Sequence, residues 1–388
     1  MSISISGKIP TGSIEVVDEH DAANLQLRLL RDPGDDHLAI GYYHFRASGI
    51  RGQSCTYRIL DVAEDASARL AGREGYEDGW TNTGPHASYD LKHWFRIPAT
   101  LEGRDYVFSH VPEHDVCYYA RWAPYPPQRE MDFIARCQRS PRVSLSTFGR
   151  SGLGADLDLM TIGTPGPGKK ACWIISRQHP SETMSGYFVE GAVERLLDEH
   201  DPIVTSLLQR AVFYVVPNIN PDGTQLGHTR ANGLGYNLNR EWVAPSLERS
   251  PEVFHTQALM KKLGVDFCID CHGDEELRCV FLGGPLEIPS RSEHLDTLFK
   301  TFERAWNAAS PDYELGHPYP GGSPAEADLR MAWNWIAEEY NCLSVLLEQP
   351  FKDTSWWQDP IQGWSPERAT RLGRELPTAV HGVLDQLR

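Results

Sequence analysis

The stretch "VDFCIDCHGDEE", residues 265–276, decides how this chain is read. Its first six residues make a compact run of buried-strand length, which then breaks into polar residues led by His272. Ligands in open α/β sheets gather at the carboxyl ends of strands, so chemistry is expected at such a junction. The same letters contain Cys268-Ile269-Asp270-Cys271-His272, which also fits C-x-x-C-H, the attachment signature of a c-type haem. Residues three apart on a strand face opposite sides of the sheet, so Cys268 and Cys271 are poor partners for one ion. Eight cysteines among 388 residues are too sparse for a disulfide framework. They suit small apolar residues in a reduced cytoplasm, where haem of this type is not normally attached. The strand reading prevails, with His272 as its product.

The pattern recurs outward from this strand. "ACWIIS" (171–176), "AVFYVV" (211–216) and "LSVLL" (343–347) are further apolar runs of strand length, with helical patterns between them. Met184, Phe188, Ala192 and Leu196 recur every four residues, and Asp201-Pro202 reads as the stop of that run. Ser250-Pro251 and Ser365-Pro366 each read as an N-cap followed by proline at the first helical position. The alternation predicts an α/β domain over residues 126–388, a mixed and largely parallel sheet flanked by helices. Residues 1–125 have another texture. Short alternating runs such as "CTYRILDV" and "RDYVFSHV" are split by turn residues, which predicts an antiparallel β-sandwich. The prolines of "WAPYPPQREMDF" read as the boundary.

Composition narrows the partners. A formal net charge of −16 disfavours nucleic acid and anionic membranes, since both attract a basic footprint. No apolar run approaches the ~18 residues of a membrane-spanning helix. The start "MSISISGKIP" lacks the basic and apolar regions of a secretion signal, so a cytoplasmic location is expected.

Polar clusters sit at the predicted strand ends. "ACWIIS" runs into "RQHPSET", which places His179 and Glu182 at a strand-to-helix junction. His272 emerges at a second strand end. Two histidines and one glutamate, with a fourth position for water, make a recognised catalytic zinc set. A third cluster, "NINPDGTQLGHTRANGLGYNLNREW", follows residues 211–216. Asn220-Pro221-Asp222-Gly223 signals a turn within it. Arg230 and Arg240 stand there among Asn and Gly, as carbonyl or carboxylate binders stand, because the planar guanidinium suits a carboxylate. Glu348 ends the apolar run 343–347, where a carboxylate either pairs or has a chemical task.

Taken in order, H-P-S-E, N-P-D-G, H-T-R, N-L-N-R-E-W, D-C-H-G and L-L-E resemble the zinc metallocarboxypeptidases, and most closely the bacterial type of the cytosolic carboxypeptidase subfamily. In the first part, "YYHFRASGIRGQSCTYRI", "YEDGW", "WFRI" and "ARWAPYP" resemble that subfamily's β-sandwich domain. The resemblance implies one zinc ion per chain on His179, Glu182 and His272. It implies that Arg230 holds the oxyanion, that Asn239 and Arg240 grip a C-terminal carboxylate, and that Glu348 is general base and then acid. The implied substrate is a peptide or protein C-terminal tail, with glutamate or another acidic residue released.

Two positions depart from the digestive relatives. Asn237 stands where they carry an aspartate that orients a ligand imidazole, and a neutral amide can still accept the imidazole N–H. "GHPYPGGSPAE" offers Tyr319 or His317 for their mobile tyrosine, and neither is assigned a catalytic role. An acidic preference needs a basic pocket residue. Arg330 and Lys352 lie in the right region, with surface placement expected for each. The tryptophans of "MAWNWIAEEY" and "SWWQDP" are expected in the core or a domain interface. Two other functions are compatible with the metal set or the scaffold: a zinc amidohydrolase of the aspartoacylase or murein-peptide amidase type, and a non-catalytic peptide-binding module.

Overall fold

A computed structural model describes residues 2–34, 41–62, 78–316 and 324–388. His317 and Tyr319 lie outside the described residues. Two five-stranded sheets form the N-terminal part. One orders Ser4–Ser6, His44–Ser48, Val116–Ala120, His86–Ser88 and Phe95–Arg96, all antiparallel. The other orders Glu15–Asp18, Leu25–Arg28, Cys55–Ile59, Asp105–His110 and Ala99–Glu102, with one parallel pair, Leu25–Arg28 beside Cys55–Ile59. Alternation drives the packing: Cys55, Tyr57 and Ile59 are buried, while Thr56 and Arg58 between them are not. Aromatic rings from both sheets meet inside, with Tyr57 centred 4.9 Å from Phe108 and 4.8 Å from Tyr119. This is the expected sandwich.

The second part is a seven-stranded mixed sheet. Its middle four strands, Ala211–Val216, Lys170–Ser176, Phe267–Asp274 and Leu343–Pro350, run parallel. Val143–Arg150 and Asp156–Ile162 flank one side and Phe281–Gly283 the other, all antiparallel. Helices Met184–Leu196, Glu293–Ala309 and Pro366–Val383 contribute to the hydrophobic core on one face. Helices Pro251–Leu263 and Ala332–Tyr340 contribute to that on the other. Burial on both faces is why the central strands read as near-continuous apolar runs. Cys268 joins one core and Cys271 the other, as alternation requires, and all eight cysteines are buried thiols.

Local signals resolved with two changes. Asp201-Pro202 does not only end a helix: Asp201 is the N-cap of the next, Pro202–Arg210, and accepts from the amides of Ile203 and Val204. Asn220-Pro221-Asp222-Gly223 is likewise the capped start of a short helix, Pro221–Leu226. Ser365 caps its helix through Oγ, whereas Ser250 makes no side-chain cap and its hydroxyl donates to Glu241. The two parts are joined by packing. Trp122 stacks on Phe351 with centroids 3.8 Å apart and donates its indole N–H to the carbonyl of Ser181 at 2.6 Å.

Candidate metal centre and active site

His179 leaves the end of strand Lys170–Ser176 through a strained residue. Arg177 has φ of 64°, a left-handed conformation that a side chain with a Cβ rarely adopts. Its buried guanidinium donates to the carbonyls of Tyr125 at 3.2 Å and Pro180 at 2.6 Å. Asn220 donates to the carbonyl of Gln178 at 2.9 Å, which fixes the residue before His179.

Three side chains converge beyond that bend. His179 Nδ1 lies 2.6 Å from Glu182 Oε1, His272 Nδ1 lies 2.7 Å from Glu182 Oε2, and the two Nδ1 atoms are 3.2 Å apart. All three residues are buried, and their ligand atoms fall within 4.8 Å of one another. Each imidazole is oriented from behind. His179 Nε2 is 3.1 Å from Asn237 Oδ1, and His272 Nε2 is 3.0 Å from Asp270 Oδ2. With Nε2–H donated away, Nδ1 is the lone pair aimed inward.

The protonation pattern shows what the pocket wants. Burial, helped by Arg230, pulls the His179 imidazolium down to about 4 against the pull of Glu182, so this ring is neutral. For His272 burial acts the same way, yet Asp270 and Glu182 outweigh it and push the ring well above its usual value. Burial also opposes the charge on Glu182, but the two histidines outweigh it and keep the carboxylate ionised. The carboxylates that favour positive charge on His272 would favour a divalent cation in the same place. Two imidazole nitrogens and one carboxylate, with their far atoms anchored, fit zinc with an open position.

The other predicted residues connect to this centre by different routes. Arg230 Nη1 is 3.4 Å from His179 Nε2. Asn237 Oδ1 also accepts from the amide of Asn239 at 3.0 Å, so it ties a candidate ligand to the turn Leu238–Arg240. Asn239 Oδ1 accepts from the Ala332 amide at 2.8 Å, which leaves the amide's NH2 as the part able to serve an anion. Arg240 donates to its neighbour's carbonyl at 2.7 Å and has Nε 4.0 Å from Asp328. Glu348 is buried and lies directly across from His272 on the adjacent parallel strand.

Comparison with known proteins gives the family. A zinc carboxypeptidase family model matches residues 131–348, and a cytosolic carboxypeptidase N-terminal domain model matches residues 5–122. The chain belongs to the zinc carboxypeptidase family. It is a peptidase of the cytosolic carboxypeptidase type, and its family implies zinc and a peptide substrate. A solved metallo-carboxypeptidase from Burkholderia cenocepacia is 36% identical, covering 99% of this chain and 100% of that one, with a TM-score of 0.92. One from Pseudomonas aeruginosa, solved with (2-guanidinoethylmercapto)succinic acid, is 32% identical over 99% and 100%, also with a TM-score of 0.92. Mouse cytosolic carboxypeptidase 6 is 31% identical over 195 residues, 46% of this chain and 35% of the mouse protein. The chain therefore spans about a third of the length of that relative.

Three expectations about this carboxypeptidase's surroundings change. Lys352 is not on the surface: it is buried and donates to the carbonyl of Asp78, because the loop after strand Leu343–Pro350 tucks under the sandwich. Trp357 is 61% exposed, so it belongs to neither core nor interface in this chain. Trp333 lines a cavity. Arg330 is exposed as expected and pairs with Asp328 at 2.8 Å.

Four site residues escaped the sequence reading. Asp270 could have been found, since i and i+2 on a strand share a face with His272. Gln178 donates to Asp270 at 2.8 Å and accepts from the Trp242 indole at 2.8 Å, a contact that only the tertiary structure makes. The fourth is Asp32, whose carboxylate reaches the Arg230 loop from the N-terminal part.

Proposed function

We propose that this carboxypeptidase hydrolyses the last peptide bond of a peptide or protein tail in the cytoplasm, with one zinc ion held by His179, Glu182 and His272. The observation that carries the reading is the convergence of the His179 and His272 Nδ1 atoms on the two oxygens of the Glu182 carboxylate. Zinc held there would supply Lewis acidity, which polarises a carbonyl and brings a water's pKa to roughly 7. Glu348, beside His272, takes the proton of the attacking water and returns it to the leaving amine. Arg230 meets the negative charge that develops on the carbonyl oxygen, a role worth ~2.7–4 kcal/mol per donor. Asn239 and Arg240 hold the free carboxylate, and only a chain end offers one. We assign the sandwich to residues 1–125 and the catalytic unit to residues 126–388.

The side chain released is a separate matter. Asp328, 4.0 Å from Arg240 Nε, also lines a cavity of about 570 Å³. Glu287, Glu303, Glu314 and Glu326 line it as well. A glutamate side chain entering it would meet like charges, whereas a lysine or arginine would meet partners. This observation favours a basic C-terminal residue over the acidic one that the resemblance implied. Metal analysis and a panel of peptides ending in Lys, Arg, Glu or Leu test both points. The panel should include acylated amino acids and muropeptides. Cleavage confined to acylated amino acids or muropeptides would sink the carboxypeptidase assignment, and a preference for C-terminal glutamate would sink the basic one.

A further inference from the structure

The catalytic arginine's loop is held from outside the catalytic unit. Asp32 is 7% exposed, and its carboxylate accepts three consecutive backbone amides: Thr229 at 2.8 Å, Arg230 at 2.6 Å and Ala231 at 2.7 Å. No other described carboxylate accepts amides from this loop. Nearby contacts from the same part of the chain reinforce the grip. The Tyr42 amide lies 3.4 Å from Thr229 Oγ1, and the Thr11 amide donates to the carbonyl of Gln225 at 3.3 Å. Gly34 and Gly235 pack backbone to backbone, so that a Cβ on Gly34 would sit 2.7 Å from the Gly235 carbonyl oxygen.

We infer that Asp32 is a positioning residue for catalysis: the sandwich supplies the carboxylate that sets where the Arg230 guanidinium stands. This inference rests on the proposed role of Arg230. An ionised acceptor taking three amides makes shorter, stronger bonds than a loop could make with water. It also fixes the backbone next to the one side chain that must meet the oxyanion. Misplacing such a group by about 1 Å costs on the order of 100-fold in rate. Arg240 and Asn239 hang from a different turn, so substrate grip should be spared. The sandwich is then a working part of the active site.

The test uses the full zinc-loaded chain and the peptide it cuts best. Asp32→Asn keeps the shape and removes the charge. It should lower kcat roughly 10- to 100-fold with KM within about threefold, zinc content unchanged. Amide hydrogen exchange, measured on both zinc-loaded and metal-free protein, should accelerate at residues 229–231 and not in the central sheet. In an Arg230→Ala background the same substitution should produce no further loss of kcat. An equal loss in both backgrounds would mean a general structural effect and overturn the inference, as would parental kcat with unchanged exchange. If Arg230→Ala itself keeps full kcat, the role of Arg230 fails and the positioning role with it. If the parent cuts no peptide, the proposed function fails, and the exchange measurement still decides whether Asp32 clamps the loop.

Discussion

His272 and Glu348 are direct Cα partners on neighbouring parallel strands. Paired residues in a sheet project to the same face, so the register alone sets a candidate ligand beside the candidate base. Glu348→Gln should keep zinc at one ion per chain and lower kcat by ~10²–10⁴, since the amide cannot take the water's proton. Metal analysis with steady-state kinetics on one protein sample checks it. Unchanged turnover would remove Glu348 from the mechanism.

Asp270 orients the His272 ring from behind at 3.0 Å. Asp270→Asn should weaken zinc binding by roughly 10- to 100-fold, as losing an outer-shell partner typically does. Competition against a chromophoric chelator measures this without reference to activity. The parent should also lose thermal stability on chelation and regain it with zinc, by ~2.7 kcal/mol at a hundredfold excess over Kd. A melting temperature indifferent to zinc would contradict a site held in the native state.

In its proposed role Arg240 would offer a fork to the substrate carboxylate, and Lys would offer only a point charge. Arg240→Lys should raise KM for a free peptide by roughly tenfold or more, with little change in kcat. A C-terminally amidated peptide should be resistant to both proteins. Ready cleavage of the amide by the parent would mean that the carboxylate is not what is recognised.

The sandwich should be acid-sensitive. Burial pulls the imidazolium forms of both His44 and His86 down to about 3, so both rings stay neutral in the fold. In the unfolded chain they take up protons near 6.5. Stability is therefore complete above pH 6.5 and is lost as the pH falls towards 3, at up to about 1.4 kcal/mol per pH unit for each ring. Urea titrations of the parent and of His86→Asn between pH 7 and pH 4 should show a shallower loss in the variant. Parallel curves would refute it.

Gly191 and Gly373 let helices Met184–Leu196 and Pro366–Val383 touch through their backbones. A Cβ on Gly373 would collide with the carbonyl oxygen of Phe188, and one on Gly191 with that of Thr370. On an open helix Gly→Ala gains up to about 1 kcal/mol. Here overpacking, typically 1–3 kcal/mol, should win. Gly373→Ala is thus expected to unfold at lower denaturant, and a gain in stability would show that the helices part easily.

Much of this protein was legible before folding. Met184, Phe188, Ala192 and Leu196 are all buried as their spacing requires, and the four apolar runs are the four parallel strands. His179, Glu182 and His272 could be named because the first two follow strand Lys170–Ser176 and the third stands near the end of strand Phe267–Asp274, and strand ends are where α/β sheets expose polar groups. What the letters left open concerned charge and distance. A cap such as Asp201 was misjudged because the same dipeptide can stop one helix and start another. Lys352 looked like a surface cation until the fold gave it a carbonyl partner in the sandwich.

The sequence by itself determined the two textures, the strand ends and which side chains are the candidate ligands, since these follow from periodicity, chemistry and motif along local stretches. Only the tertiary structure decided that Asp328 and four glutamates line one cavity, and that Asp32 grips the loop of an arginine 198 residues further along the chain. Such pairings have no local signature. They exist because two independently patterned units close against each other, and the closed surface sets which distant groups share one dry space.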